Sequence, residues 1–204
     1  MTLPLCHPFT ALVAGPTGCG KTKFVFKVIE NAHVMIQPPP KRIVYCYGEY
    51  QQLYRDYPQV TFHQGLPDMA NFDGSESALL IIDDLMTETD EAVANLFTKG
   101  SHYRDVSVVF LVQNLFHKNK HVRTISLNAH YTVLFRNPRD ASQFAVLARQ
   151  MYPNNSNFAV SAYKDATQQP YSYLFVDLRP EQDEDLRLRT NIFPGETHYV
   201  YVSK

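Results

Sequence analysis

The run Gly15-Pro16-Thr17-Gly18-Cys19-Gly20-Lys21-Thr22 stands between an aliphatic stretch, Phe9 to Ala14 (FTALVA), and a stretch with apolar residues at helical spacing, Lys23 to Ala32 (KFVFKVIENA). It reads as a phosphate-binding loop with a strand before it and a helix after it. Gly15, Gly18 and Gly20 let backbone N–H groups curl around phosphate oxygens. Lys21 reaches the β- and γ-phosphates, and the Thr22 hydroxyl ligates Mg²⁺. The helix N-terminus and its dipole then point at the anion. The bland alternative is a glycine-rich turn between any strand and helix.

Working outward, Leu79-Leu80-Ile81-Ile82-Asp83-Asp84 is a buried aliphatic strand ending in two carboxylates. A phosphate loop needs such a partner, because a strand-terminal Asp holds the Mg²⁺ shell in P-loop NTPases. Asp83 takes that role, and Asp84 is placed to polarise an attacking water. Two acids also mark an ordinary strand exit into solvent. A third strand, Val108 to Val112, ends in Gln113-Asn114. Ligands of open α/β sheets bind outside the carboxyl ends of the strands, so Gln113 is expected at the same edge as Lys21 and Asp83, where it would orient water or sense the γ-phosphate. The alternative is that Gln113 and Asn114 merely begin a polar loop.

The apolar runs alternate with helical stretches, the pattern of an α/β fold with a mostly parallel sheet flanked by helices. Expected strands are Phe9 to Ala14, Arg42 to Tyr47, Val60 to Phe62, Leu79 to Asp83, Val106 to Val112, Tyr131 to Arg136 and Tyr171 to Asp177, mostly unbroken apolar runs that suit burial on both faces. Helices are expected over Glu91 to Lys99 and Asp140 to Met151, the second with Phe144, Leu147, Ala148 and Met151 on one core face. Pro38-Pro39-Pro40 makes a stiff surface connection. With 204 residues, the chain suits a single domain over 1–204. The charged segment from about 178 to 204, with a final strand over Thr197 to Val202, is expected as a hairpin or arm outside the main sheet.

Charge is balanced, with 19 Lys and Arg against 20 Asp and Glu, so no overall basic field announces a polyanion. Local charge differs. From Lys99 to Arg149 eight bases face only Asp105 and Asp140, and Lys118, Lys120 and Arg123 follow Phe116-His117, suggesting a DNA backbone contact without base reading. A basic solvated loop is the competing reading. Arg104, in Ser101-His102-Tyr103-Arg104-Asp105, is a candidate to reach a neighbouring subunit's site, or else is solvated or paired with Asp105. The three cysteines lack metal or redox spacing, which suits a reducing compartment. No secretion signal or membrane-spanning run is present, so a soluble, unsecreted, intracellular protein is expected.

The ordered set GPTGCGKT, LLIIDD, SHYRDVSVVFLVQNLFH and RTISLNAHYTVLFRNPRDASQFAVLARQMYP, with LRLRTNIFP near the end, resembles the viral genome-packaging ATPases of the FtsK/HerA superfamily. Those of adintoviruses and Maverick/Polinton elements are the nearer likeness and the poxvirus-like packaging ATPases the more distant one. The resemblance spans about Thr10 to Pro194. It implies a RecA-like fold and an ATPase ring of five or six subunits that uses ATP and Mg²⁺ to drive double-stranded DNA into a capsid. It also implies a capsid or portal-vertex partner, and a place in the host cytoplasm or nucleus, associated with the virion. On it Asp83 maps to the Mg²⁺ carboxylate, Asp84 to the catalytic acid, Gln113 to the sensor amide and Arg104 to the trans-acting arginine. Two departures stand out. The catalytic acid is often Glu in the superfamily and here is Asp, and the chain begins almost at its first strand, without the N-terminal domains of the cellular relatives. Two other readings compete: a small P-loop kinase acting on a nucleoside or metabolite, and a non-catalytic DNA-binding descendant.

Overall fold

The computed structural model describes residues 3–83, 85, 91–115, 120–139 and 141–203. In chain order the elements begin with a short strand β1 (Leu5–Cys6), β2 (Thr10–Ala14), helices α1 (Lys21–Glu30) and α2 (Ala32–Met35), then β3 (Ile36–Gln37), β4 (Arg42–Tyr47), β5 (Thr61–Gln64) and β6 (Ala78–Asp83). Next come α3 (Glu91–Asn95), which runs through a π-helical turn into α4 (Ser101–Tyr103), then β7 (Val106–Val112), α5 (Lys120–Leu127) and β8 (Tyr131–Phe135). Helices α6 (Ala141–Met151) and α7 (Ser156–Ala166) lead to β9 (Tyr173–Asp177), β10 (Leu188–Thr190) and β11 (Tyr199–Tyr201).

Nine strands form one sheet in the order β11-β10-β9-β8-β2-β7-β6-β4-β5. The six from β8 to β5 are parallel, while β9, β10 and β11 add antiparallel at one edge. The sheet is therefore mixed, with a parallel centre. The C-terminal arm expected outside the sheet instead supplies its edge: Leu188 pairs with Val176 and Tyr201, so the backbone groups of Leu188–Thr190 and Tyr199–Tyr201 find partners in strand pairing.

Burial on both faces explains the unbroken apolar strands. Ala11, Val13, Leu79, Ile81, Val109 and Leu111 pack against Phe24, Val25 and Val28 of α1. Their alternates Leu12, Ala14, Leu80, Ile82, Val108 and Phe110 share the opposite core with Val93, Val122, Ile125, Phe144 and Ala148. Each of the valine, leucine, isoleucine and phenylalanine side chains removed from water contributes about 1.5–3 kcal/mol before conformational entropy is charged against it. On α6, Phe144 and Ala148 are buried and Leu147 and Met151 pack partly against the same core. Pro38 and Pro39 are exposed.

Besides the short α2 and α4, two longer helices, α5 and α7, have no counterpart in the expected helical stretches. Lys120 and Arg123 were expected in a basic loop, but they belong to α5, which forms because Val122 and Ile125, one turn apart, are both fully buried. Helix α7 buries only Ala159, Ala162 and Ala166, a face too small to stand out in a hydrophobicity pattern but small enough for close packing.

Candidate functional site: a cleft at the carboxyl edge of the sheet

Strand register gathers the candidate residues. Ala14 pairs with Val112 and with Leu134, while Asp83 pairs with Leu111 and with Tyr47. The segments that follow these strands therefore leave the sheet at one edge: the glycine loop, Gln113, and the turn beginning at Gly48. Strand β7 lies between the phosphate-loop strand and the Asp83 strand, which puts Gln113 between them. A cleft of about 200 Å³ opens there, lined by Thr17, Gly18, Lys21, Thr22, Asp83 and Gln113, and from the β4 side by Tyr47, Glu49, Gln51 and Tyr54.

The loop is shaped by close approach and by left-handed backbone. A Cβ on Gly15 would stand 2.6 Å from Cys19 Sγ and 2.7 Å from Phe135 Cβ, so only glycine fits under these two side chains. Gly20, at φ 109°, caps α1 and hands the chain into the helix, with Phe24 N–H donating to Gly20 O at 2.9 Å. Lys21 Nζ donates to the carbonyls of Gly15 (2.7 Å) and Pro16 (3.1 Å), which pins the ammonium over the loop and leaves one of its three N–H groups for an anion.

Asp83 is buried, and its Oδ2 accepts a 2.5 Å hydrogen bond from the Tyr45 hydroxyl, itself fully buried on the neighbouring strand. Burial above all, and then the Asp83 carboxylate, push the Tyr45 phenol well above its ordinary range, so it remains a protonated donor. Tyr45 thus holds one of the two expected metal ligands from behind. Tyr54 is buried beside it, and its hydroxyl finds no hydrogen-bond partner among the described residues.

No cluster of three or more His, Cys, Asp or Glu side chains suited to a metal occurs among the described residues. Thr22 and Asp83 offer one hydroxyl and one carboxylate. That set fits Mg²⁺, which takes one or two protein oxygens and completes its octahedron with substrate phosphates and water.

Other candidates sit elsewhere. Asp84 and Lys118 lie outside the described residues. Arg104 precedes β7 and so stands at the opposite, amino edge of the sheet, where its guanidinium donates to the carbonyls of Met69 and Phe72. Arg123 is exposed on α5. The sequence reading missed Tyr45, Glu49, Gln51 and Tyr54. The first was hidden because β4 (RIVYCY) carries two tyrosines, and only its pairing beside the Asp83 strand singles out Tyr45.

No family model and no curated protein sequence matches the chain. Among solved structures it is similar to the genome packaging NTPase B204 from Sulfolobus turreted icosahedral virus 2 in complex with ATPγS. That match covers 95% of this chain and 96% of that one, with a TM-score of 0.52 and 10% identity. Structures of Thermotoga maritima RuvB match over 80% of this chain and 51% of theirs, with TM-scores of 0.37 and identities of 12–13%. The chain has the P-loop NTPase fold.

Proposed function

We propose that this chain is an ATP-hydrolysing motor that packages double-stranded DNA into a viral or transposon capsid. The observation that carries the reading is the convergence of Lys21, Thr22, Asp83 and Gln113 on one cleft at the carboxyl edge of the sheet. The full-length fold likeness to a genome packaging NTPase supports the use to which that chemistry is put.

Residues 15–22 cradle the triphosphate with their backbone N–H groups, and Lys21 sets its cationic head against the phosphates. Mg²⁺, held by Thr22 and Asp83, would neutralise charge on the phosphate oxygens. Gln113 orients water with its amide, and Asp84 takes the water's proton. Glu49 is a second carboxylate lining the same cleft, one methylene longer than the expected acid. Arg104, at the amino edge of the sheet, would act in a neighbour's site rather than its own, and that action requires release of the Met69 and Phe72 carbonyls. Lys118, Lys120 and Arg123 would track the DNA backbone. Arg123, Arg136, Arg139 and Arg149 are exposed and form no ion pair among the described residues, which leaves them available to phosphates. The working unit is a ring of five or six subunits docked on a capsid or portal-vertex protein. No described helix is long and apolar enough to cross a membrane.

The test is ATP turnover with and without double-stranded DNA across a range of protein concentrations. Stimulation by DNA that rises cooperatively with concentration is expected. Turnover that is indifferent to both would refute the motor.

A further inference from the structure

A second recess, of about 340 Å³, lies on the other side of the glycine loop from the carboxylate cleft. Gly18 lines both cavities. The second one continues over Cys19 to Arg136, at the carboxyl end of β8, and to Gln168, Gln169 and Tyr171 in the turn before β9. An elongated ligand whose phosphates sit on the loop, with its terminal phosphate toward Asp83, therefore has its other end at this recess. We propose that the recess is the nucleoside subsite, that Tyr171 is the platform on which a purine base stacks, and that Gln168 and Gln169 read its edge. The inference rests on the nucleotide-binding reading of the same loop.

The turn that carries Tyr171 points to a ligand. Ser172 N–H donates to Gln169 O at 3.2 Å and Ser172 Oγ donates to the same carbonyl at 2.7 Å, closing a turn with Pro170 at its second position and Tyr171 at its third. Tyr171 has φ 66°, as the third position of a type II turn demands, and glycine or asparagine is the residue such a position favours. A bulky aromatic there is held at a cost, and costs of this kind cluster at functional sites. The ring gains little from burial in return, being 63% exposed.

What holds the ring is the loop itself. A Cβ on Gly20 would meet Tyr171 Cδ1 at 3.2 Å, so the ring rests on the cap of α1, and Lys23 Nζ stands 5.4 Å from its centroid. A flat π-surface is thus fixed beside the end of the phosphate loop. Base–aromatic stacking is sequence-tolerant and stronger for larger rings, which favours a purine. The Gln168 and Gln169 amides offer donors and acceptors for its edge, and the exposed Arg136 guanidinium can stack or contact ribose and phosphate oxygens.

The test compares direct binding of ATPγS, GTPγS, CTP and inorganic tripolyphosphate, each with Mg²⁺, to the full chain and to Tyr171→Gly and Tyr171→Phe. Tyr171→Gly suits the left-handed backbone, so the melting temperature should stay level or rise. Its affinity for both purine nucleotides should fall about tenfold or more while tripolyphosphate affinity holds. Tyr171→Phe should retain purine affinity. Equal losses for nucleotide and tripolyphosphate, or a lowered melting temperature with purine affinity intact, would overturn the subsite and make Tyr171 a packing residue. Wild-type protein that binds tripolyphosphate no more weakly than ATPγS would also overturn it. A wild-type chain that binds none of the four would instead sink the nucleotide reading on which the subsite rests.

Discussion

Tyr45→Phe separates a residue that holds the metal carboxylate from one that merely fills the core. The substitution deletes one oxygen, and the ring keeps its packing, including the stack on Phe26 with centroids 5.3 Å apart. What is lost is the 2.5 Å hydrogen bond to Asp83 Oδ2. A hydrogen bond to a buried charge is worth about 1.5–3 kcal/mol. For a chain of this size about 1 kcal/mol moves the melting temperature by roughly 2–4 °C, so a fall of about 3–12 °C is expected. The functional loss is of another kind. Without the phenol, the carboxylate loses a contact that restrains its rotation, and removing a partner behind a metal ligand typically costs about 10–100-fold in metal affinity. The Mg²⁺ concentration that half-saturates ATPγS binding should rise by that factor, while binding of metal-free ATPγS is little changed. Because burial and the Asp83 charge raise the phenol above its ordinary value of 10.0, it keeps its proton at neutral pH, so the wild-type advantage should be level between about pH 6 and 9. A lower melting temperature with Mg²⁺ half-saturation unchanged within twofold would refute the positioning role.

Gly15→Ala should abolish ATPγS binding and lower stability by about 2 kcal/mol, read by calorimetry, because the new methyl overlaps Cys19 and Phe135. Glu49→Gln and Asp84→Asn, compared in single-turnover hydrolysis, should identify the base: the essential acid loses turnover by at least about 10²-fold with ATPγS affinity kept, and a loss in neither disproves carboxylate base catalysis. Arg104→Ala should leave ATPγS binding by the isolated chain intact but abolish hydrolysis in the assembled ring, and normal DNA-stimulated turnover would rule out the trans role. Cys46, fully buried, has its thiol pushed up by burial from 9.0 to about 12. A raised thiol pKa contributes stability that is intact below pH 9 and fades as pH climbs from 9 toward 12, so Cys46→Ser should flatten part of the alkaline loss seen in urea titrations.

How much of this was legible depends on the range of the interaction. The phosphate loop could be read because its determinants are local: glycine spacing, a strand before it and a helix after it, each visible within about ten residues. Asp83 was readable for the same reason, as the first charge after five apolar residues. Tyr45 was not, since its meaning depends on Asp83, 38 residues away in sequence, and on a strand order that no local pattern encodes. Glu49, Gln51 and Tyr54 reach the cleft through the same pairing of β4 with β6. Helix α5 was hidden because five polar side chains outnumber Val122, Ile125 and Leu127 in its eight residues, although Val122 and Ile125 decide its fold. The C-terminal edge was hidden because a three-residue strand such as Leu188–Thr190 is fixed by its neighbours, β9 and β11, and hardly at all by its own composition.

Charge offers the clearest case of counting giving way to geometry. Arg179, Arg187 and Arg189 stand in a charged segment that also carries Glu181, Asp183, Glu184 and Asp185, and all three are committed to partners within the protein. Asp177, fully buried, accepts from Arg179 Nη2 at 2.8 Å and from Arg189 Nη2 at 3.2 Å, while Arg187 donates to the Asp177 carbonyl at 2.7 Å and pairs with Glu184. Breaking such a pair by removing one partner costs about 3–5 kcal/mol, because a buried charge is left unpaired. These arginines fasten the antiparallel extension to the sheet, with their charges already engaged by Asp177 and Glu184. Arg123, Arg136, Arg139 and Arg149 differ in being exposed and in forming no ion pair among the described residues, so exchanging water for phosphate costs them little. Arg136 belongs to both that exposed set and the wall of the recess beside the glycine loop. If that recess holds the nucleoside, occupancy by nucleotide withdraws one positive charge from the surface offered to DNA, a direct electrostatic coupling between the two ligands that needs no movement of the fold.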